Sequence, residues 1–166
     1  MKFKSLLVCL FAFSLSVSAH AEKVAVLGVQ EALLGSAAAE TFRESLRNEL
    51  ASDEKQVLEL EKQAKAVQEK LKKNKGLASE EDMQQMKLQF QKVFTQYQQA
   101  GQALQQKRME KEQAFVTDMR PVLDKVIRNL IEQEKYDIVV AKEAAVFARK
   151  GLDITPKVIE LLNSTK

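Results

Sequence analysis

The spacing of apolar and polar positions changes character several times along the chain, and each change predicts a different element. Ser5 to Val17 is an almost unbroken apolar run. Lys23-Val24-Ala25-Val26-Leu27-Gly28-Val29 is short, β-branched and apolar on both faces, which predicts a buried strand. Gln30 to Leu34 has the length of a helical turn or two before a break at Gly35-Ser36. From about Ala37 to about Lys73 the pattern is helical, rich in Glu, Lys, Gln, Ala and Leu and free of proline. Lys70, Lys72 and Lys73 suit the negative end of that helix, and Gly76 suits its left-handed terminator. Ser79-Glu80-Glu81-Asp82 then reads as an N-cap with an acidic first turn. So short a connection predicts antiparallel neighbours. The second helix runs from about Glu80 to Glu134, with Pro121 expected to kink or restart it. Tyr136 to Ala141 predicts a second strand, and Ala144 to Ala148 a third strand or a helical turn, the strand being favoured. Lys150-Gly151-Leu152 reads as a turn, and Thr155-Pro156 opens a last helix reaching about Leu162.

Within the two long helices the apolar positions form matching rows. Leu46, Leu50, Asp53, Val57, Leu60, Ala64, Val67 and Leu71 follow one another in steps of four and three. So do Met83, Met86, Phe90, Val93, Tyr97, Ala100 and Leu104. This is the period of a coiled-coil seam. Residues that face each other in an antiparallel pair have numbers adding to one total. Leu71 with Met83, Ala64 with Phe90, Val57 with Tyr97 and Leu50 with Leu104 all obey that rule. The interleaved layers, Val67 with Met86 and Leu60 with Val93, add to one less. One layer is poorly filled: Asp53 would face Ala100 beside Gly101, and either lets the arm flex there or is a tolerated polar imperfection.

The N-terminal apolar run is preceded by Lys2 and Lys4 and followed by Ser18-Ala19-His20-Ala21. This predicts a secretory signal over residues 1–21, cleaved before Glu22; the run is short for a membrane anchor. Its removal changes the available chemistry. The single cysteine, Cys9, and the single histidine, His20, leave with it. The 26 basic residues fall to 24 against 23 acidic ones, so the mature chain is nearly neutral and nucleic acid is not an expected partner. No disulfide, imidazole base or histidine metal site is then available to one chain.

No nucleotide loop, metal spacing or nucleophile elbow is present, so no catalytic, cofactor-binding or metal-binding residue is assigned and the chain is not expected to be an enzyme. The two strands are short and apolar on both faces, so one subunit looks incomplete. The fold class that follows is mainly α with a small β part (α+β). A long antiparallel coiled-coil hairpin arm, residues 37–120 with its tip near 74–79, stands on a strand-containing body of residues 22–36 and 121–166. The body's sheet is expected to be completed by oligomerisation. Off the seam, Leu58, Leu77, Leu88, Phe94 and Met109 are candidate contacts for unfolded chains, although single exposed apolar residues are also common without function. Lys107-Arg108 with Lys111 forms a basic cluster for weak contact with anionic lipid headgroups, or ordinary surface charge.

The opening Lys23-Val24-Ala25-Val26, the strand Asp137-Ile138-Val139-Val140 and the helix start Asp153-Ile154-Thr155 resemble the Skp (OmpH-like) periplasmic chaperones over essentially the whole mature chain. The link Lys142-Glu143-Ala144-Ala145-Val146-Phe147 departs from the asparagine-containing link usual in that family. The resemblance implies a homotrimer in which Val24, Val26, Ile138 and Val140 gain strand partners from sister copies. It also implies an ATP-independent periplasmic holdase that binds unfolded outer-membrane β-barrel proteins and prevents their aggregation. The alternative is a non-enzymatic structural or adaptor hairpin of the cell envelope.

Overall fold

The computed structural model describes residues 22–165; the expected signal segment lies outside them. The element order is strand β1 (Val24–Leu27), helix α1 (Val29–Leu34), helix α2 (Ala37–Asn74), helix α3 (Glu80–Glu134), strand β2 (Ile138–Ala141) and helix α4 (Thr155–Ser164). Two single turns of 3-10 helix, Lys142–Ala144 and Lys150–Leu152, separate β2 from α4. α2 and α3 form the antiparallel hairpin, and the remaining elements gather at its open end.

The hairpin turn is built as its residues dictate. Asn74 accepts at its carbonyl from the N–H groups of Leu77 and Ala78, at 3.0 and 3.1 Å. Gly76 takes the left-handed conformation that this requires, with φ 83°. Ser79 Oγ accepts from the Asp82 N–H at 3.1 Å and starts α3.

Three local expectations are corrected. Of the two outcomes expected at Pro121, a kink or a restart, the restart does not occur: α3 runs unbroken through it. The proline forfeits one backbone bond on an exposed face, where the freed carbonyl meets water, while Leu123 and Val126 beyond it are held in the body core. Ala144 to Ala148 forms no strand: Lys142–Ala144 is a 3-10 turn and the rest is irregular, since no neighbouring strand is there to pair with it among the described residues. Val29 begins α1 rather than ending β1, because the Gly28 carbonyl already accepts from the Ala32 N–H at 2.8 Å.

The two strands pair in parallel, Val24 opposite Ile138 through Leu27 opposite Ala141. β1 is held on its other edge too: Ile154 N–H donates to the Val26 carbonyl at 3.0 Å and Gly28 N–H to Thr155 Oγ1 at 2.9 Å. This explains the Asp-Ile-Thr sequence. Asp153 Oδ1 accepts from the Thr155 N–H at 2.9 Å, Ile154 enters the core, and the buried Thr155 hydroxyl serves β1. The core around them comprises Ala25, Leu27, Ala32, Leu33, Leu123, Val126, Leu130, Val158 and Leu162, with Phe115 and Met119 of α3 packed against it.

The C-terminus of α3 is closed by long-range charges. No basic residue lies in its last turn. Lys23 supplies one instead, its Nζ donating to the Glu134 carbonyl at 2.7 Å and to Glu134 Oε2 at 3.0 Å. Lys157 of α4 pairs with the same carboxylate. The hydrogen bonds from Lys157 and Lys23 hold the Glu134 carboxyl down to about 2, from an ordinary 4.5. A depressed carboxylate stabilises the fold above its unfolded pKa, and that contribution drains away as pH falls through the folded value.

Two outcomes are expected. Replacing Thr155 by Val keeps the shape but leaves the Gly28 N–H buried without an acceptor, a loss of about 1–3 kcal/mol read from urea unfolding; Thr155→Ser should recover much of it. For Glu134→Gln, the urea midpoint should lie below that of the wild type at neutral pH. That gap should narrow as pH falls from 4.5 towards 2. A gap constant across that interval would show that the carboxylate is not tied into the fold.

Candidate functional site: the arm and an open strand edge

The arm is a two-helix layer. α2 has 38 residues, which at ~1.5 Å per residue is about 57 Å. Along α2, Leu46, Leu50, Ala64 and Val67 are buried, and Asp53, Val57, Leu60 and Leu71 half-buried. Along α3, Met83, Met86, Phe90, Val93, Tyr97, Ala100 and Leu104 are all half-buried. The residues between these rows are mostly exposed.

The layer containing Asp53 has a chemistry of its own. Lys107 Nζ donates to Asp53 Oδ2 at 2.9 Å and lies 3.8 Å from Glu49 Oε1. Lys111 meets the same Glu49 oxygen at 2.9 Å, and Arg108 meets Glu54 at 2.8 Å. Thus the three cations of the Lys107-Arg108-Lys111 cluster all reach across the hairpin to carboxylates of α2. The Asp53 hydrogen bond holds the Lys107 ammonium above the usual lysine range. Beside this ladder is a cavity of about 460 Å³ whose lining includes Asp53, Leu60, Ala100 and Leu104. The small side chains of Ala100 and Ala103 in its lining leave that space unfilled.

The five candidate contact residues are exposed and do not converge. Leu77 caps the turn with 83% of its surface open. Leu88 and Met109 stand 21 residues apart on one helix, on the order of 30 Å. Phe94 is the one with aromatic neighbours, its ring 5.5 Å from Phe90 and 6.3 Å from Tyr97. Leu58 is exposed on the opposite helix. Pattern reading missed a further pair at the root. Phe42 and Phe115 stack with centroids 4.4 Å apart and planes 11° from parallel. Phe42 lies one step of four before Leu46, so extending the row backwards finds it. Phe115 is three steps beyond Leu104, but Arg108 and Lys111 occupy the intervening positions and hide the continuation.

In the body the four strand residues separate into two kinds. Val26 is buried and pairs with Val140 on one side and Asp153 on the other. Val24 is half-buried against Ile138. Both edges of β1 are therefore used within one chain, whereas β2 has a partner only on the β1 side among the described residues. Ile138 N–H points to the Lys23 carbonyl, so alternation along the strand turns the N–H groups of Val139 and Ala141 outward. In the link that follows β2 in the chain, Phe147 has 82% of its surface exposed and Val146 is fully exposed. No group of three or more His, Cys, Asp or Glu suited to a metal occurs among the described residues, and no helix there is long and apolar enough to cross a membrane.

Comparison with known proteins agrees with this geometry. A Skp-like protein of Pseudomonas aeruginosa PAO1 is 30% identical over 166 residues, covering 99% of each chain. A solved structure from Caulobacter crescentus CB15, assigned as an OmpH-like outer membrane chaperone, superposes with a TM-score of 0.65 over 87% of this chain and 85% of its own. At 17% identity that likeness speaks for the fold. The family model for outer membrane proteins of the OmpH-like type matches residues 23–162, so the chain belongs to the OmpH-like family.

Proposed function

We propose that the mature chain is an ATP-independent holdase of the periplasm that keeps unfolded outer-membrane β-barrel proteins from aggregating. The observation carrying this reading is the exposure of Leu58, Leu77, Leu88, Phe94 and Met109 along a slender two-helix arm with no third layer to cover them among the described residues. Contacts spread over such distances suit an extended chain better than a compact partner. Each is weak, and together they hold by multiplicity. Flexible methionine and leucine side chains accept varied sequences.

The arm then needs sister copies to surround a client. The open edge of β2 offers the means, because an unpaired strand edge recruits another chain. A closed ring of copies, a trimer in this reading, satisfies that edge in each subunit and sets several arms round one space. The body at residues 22–36 and 121–166 serves assembly, and the arm at residues 37–120 serves clients.

Two measurements test this. An unfolded β-barrel protein diluted from urea should stay soluble with a stoichiometric amount of the chaperone and no nucleotide. Failure to suppress aggregation, together with one tight folded partner, would favour an envelope adaptor instead. Assembly is tested by Ala141→Pro. The residue has φ −60° and an outward N–H, so proline fits the chain's own backbone while removing one edge donor. Light scattering should report a multiple of the subunit mass for the wild type and a shift towards the monomer for the variant. A wild-type monomer would remove the ring.

A further inference from the structure

The stacked Phe42 and Phe115 rings form part of the wall of a cleft of about 620 Å³ between α2 and α3 at the root of the arm. That volume lies within the roughly 300–1,000 Å³ of pockets that take small ligands. Leu34 and Val116 continue the apolar lining and are both exposed. Arginines edge it: Arg43, Arg47 and Arg108, against the carboxylates of Glu54 and Glu112. Arg108 is already paired with Glu54 at 2.8 Å. Arg43 donates to the Leu34 carbonyl at 3.0 Å. Neither Arg47 nor Glu112 has an ion-pair partner among the described residues, and the three arginines outnumber the two carboxylates, so the rim retains an excess of positive charge able to take an anion.

We infer that this cleft is an anchor site for an aromatic side chain with a carboxylate beside it, borne by an extended segment of an unfolded client. The inference rests on the holdase reading above and gives it one defined site. Aromatic faces attract aromatic rings, and a guanidinium plane can stack on a ring while pairing with a carboxylate. The carboxylate comes from an Asp or Glu next to the aromatic residue or from a chain terminus. A second copy of this chain is a poor occupant. The most exposed aromatic residue among the described residues, Phe147, is followed closely by Arg149 and Lys150, whose sign repels an arginine rim.

Fluorescence anisotropy of labelled octapeptides on the assembled protein tests the site. The peptides carry Phe-Asp, Phe-Asn or Ser-Asp at the centre, or a terminal Phe as free acid or amide. The Phe-Asp peptide should bind at least tenfold more tightly than Phe-Asn or Ser-Asp, and the free acid more tightly than the amide if a terminus can serve. Arg47→Glu and Val116→Glu, each on an exposed position, should both weaken the Phe-Asp peptide at least tenfold. Equal binding to wild type and Val116→Glu overturns the site, as does binding that appears only when the copies dissociate. Affinity for phosphatidylglycerol vesicles in place of the peptides also overturns it, by assigning the cleft to a lipid. Aggregation suppression by the wild type is measured alongside. If it succeeds while peptide binding ignores both substitutions, the cleft fails and the holdase stands. If it fails while the peptide still binds through Arg47, the holdase falls and the cleft stands.

Discussion

Two helices lying side by side bury only the stripe along which they touch, and the architecture follows from that constraint. A third helix would cover the remaining faces; here both helices instead continue outward as a pair, and most residues off the seam meet solvent. Stability must then be concentrated at one end. It is: the buried residues cluster where β1, α1, α4 and the last third of α3 meet, while many seam positions near the tip are only half-buried. The arm is in effect a lever with its fulcrum in the body.

β1 is the piece that fixes that fulcrum. Four residues long, it is hydrogen-bonded to β2 on one side and to the start of α4 on the other, so it ties both ends of the described residues to the foot of α3. Lys23 at its entrance extends the tie, with its backbone N–H on Asp137 and its ammonium on Glu134 and over the Tyr136 ring. The same arrangement allows α3 to end on Lys135 with φ 55°, a left-handed conformation that costs a non-glycine residue roughly 1 kcal/mol. That turn directs the chain back into β2. Local preference did not select it; the contacts on either side did.

This distinction marks what could be read from the residue pattern. The heptad rows, the hairpin turn at Gly76 and Ser79, and the two strands are all periodic or local signals, carried by residues close together in the sequence. The second edge of β1 is not local: it depends on Ile154 and Thr155, more than a hundred residues away, arriving beside Val26 and Gly28. Asp-Ile-Thr carried a family likeness before its hydrogen bonds gave it a cause. Likewise Lys107, Arg108 and Lys111 looked like a surface cluster because their partners Glu49, Asp53 and Glu54 lie across the hairpin. The same charges broke the apolar row and concealed the Phe42–Phe115 contact beyond them.

The charge ladder also bears on how the arm can act. Its members are each more than a third exposed, so ion pairs of this kind contribute little to stability and weaken with salt. Their value lies elsewhere. An apolar seam with repeated leucines tolerates a slip of one heptad, whereas cross-hairpin pairs with defined partners oppose it, as charged positions do beside coiled-coil cores. Asp53 thus gives up packing in its own layer, where it shares a cavity wall with Ala100, and gains a partner that helps hold register there. The result is an arm in which one loosely packed layer is flanked by charge pairs that join its two helices.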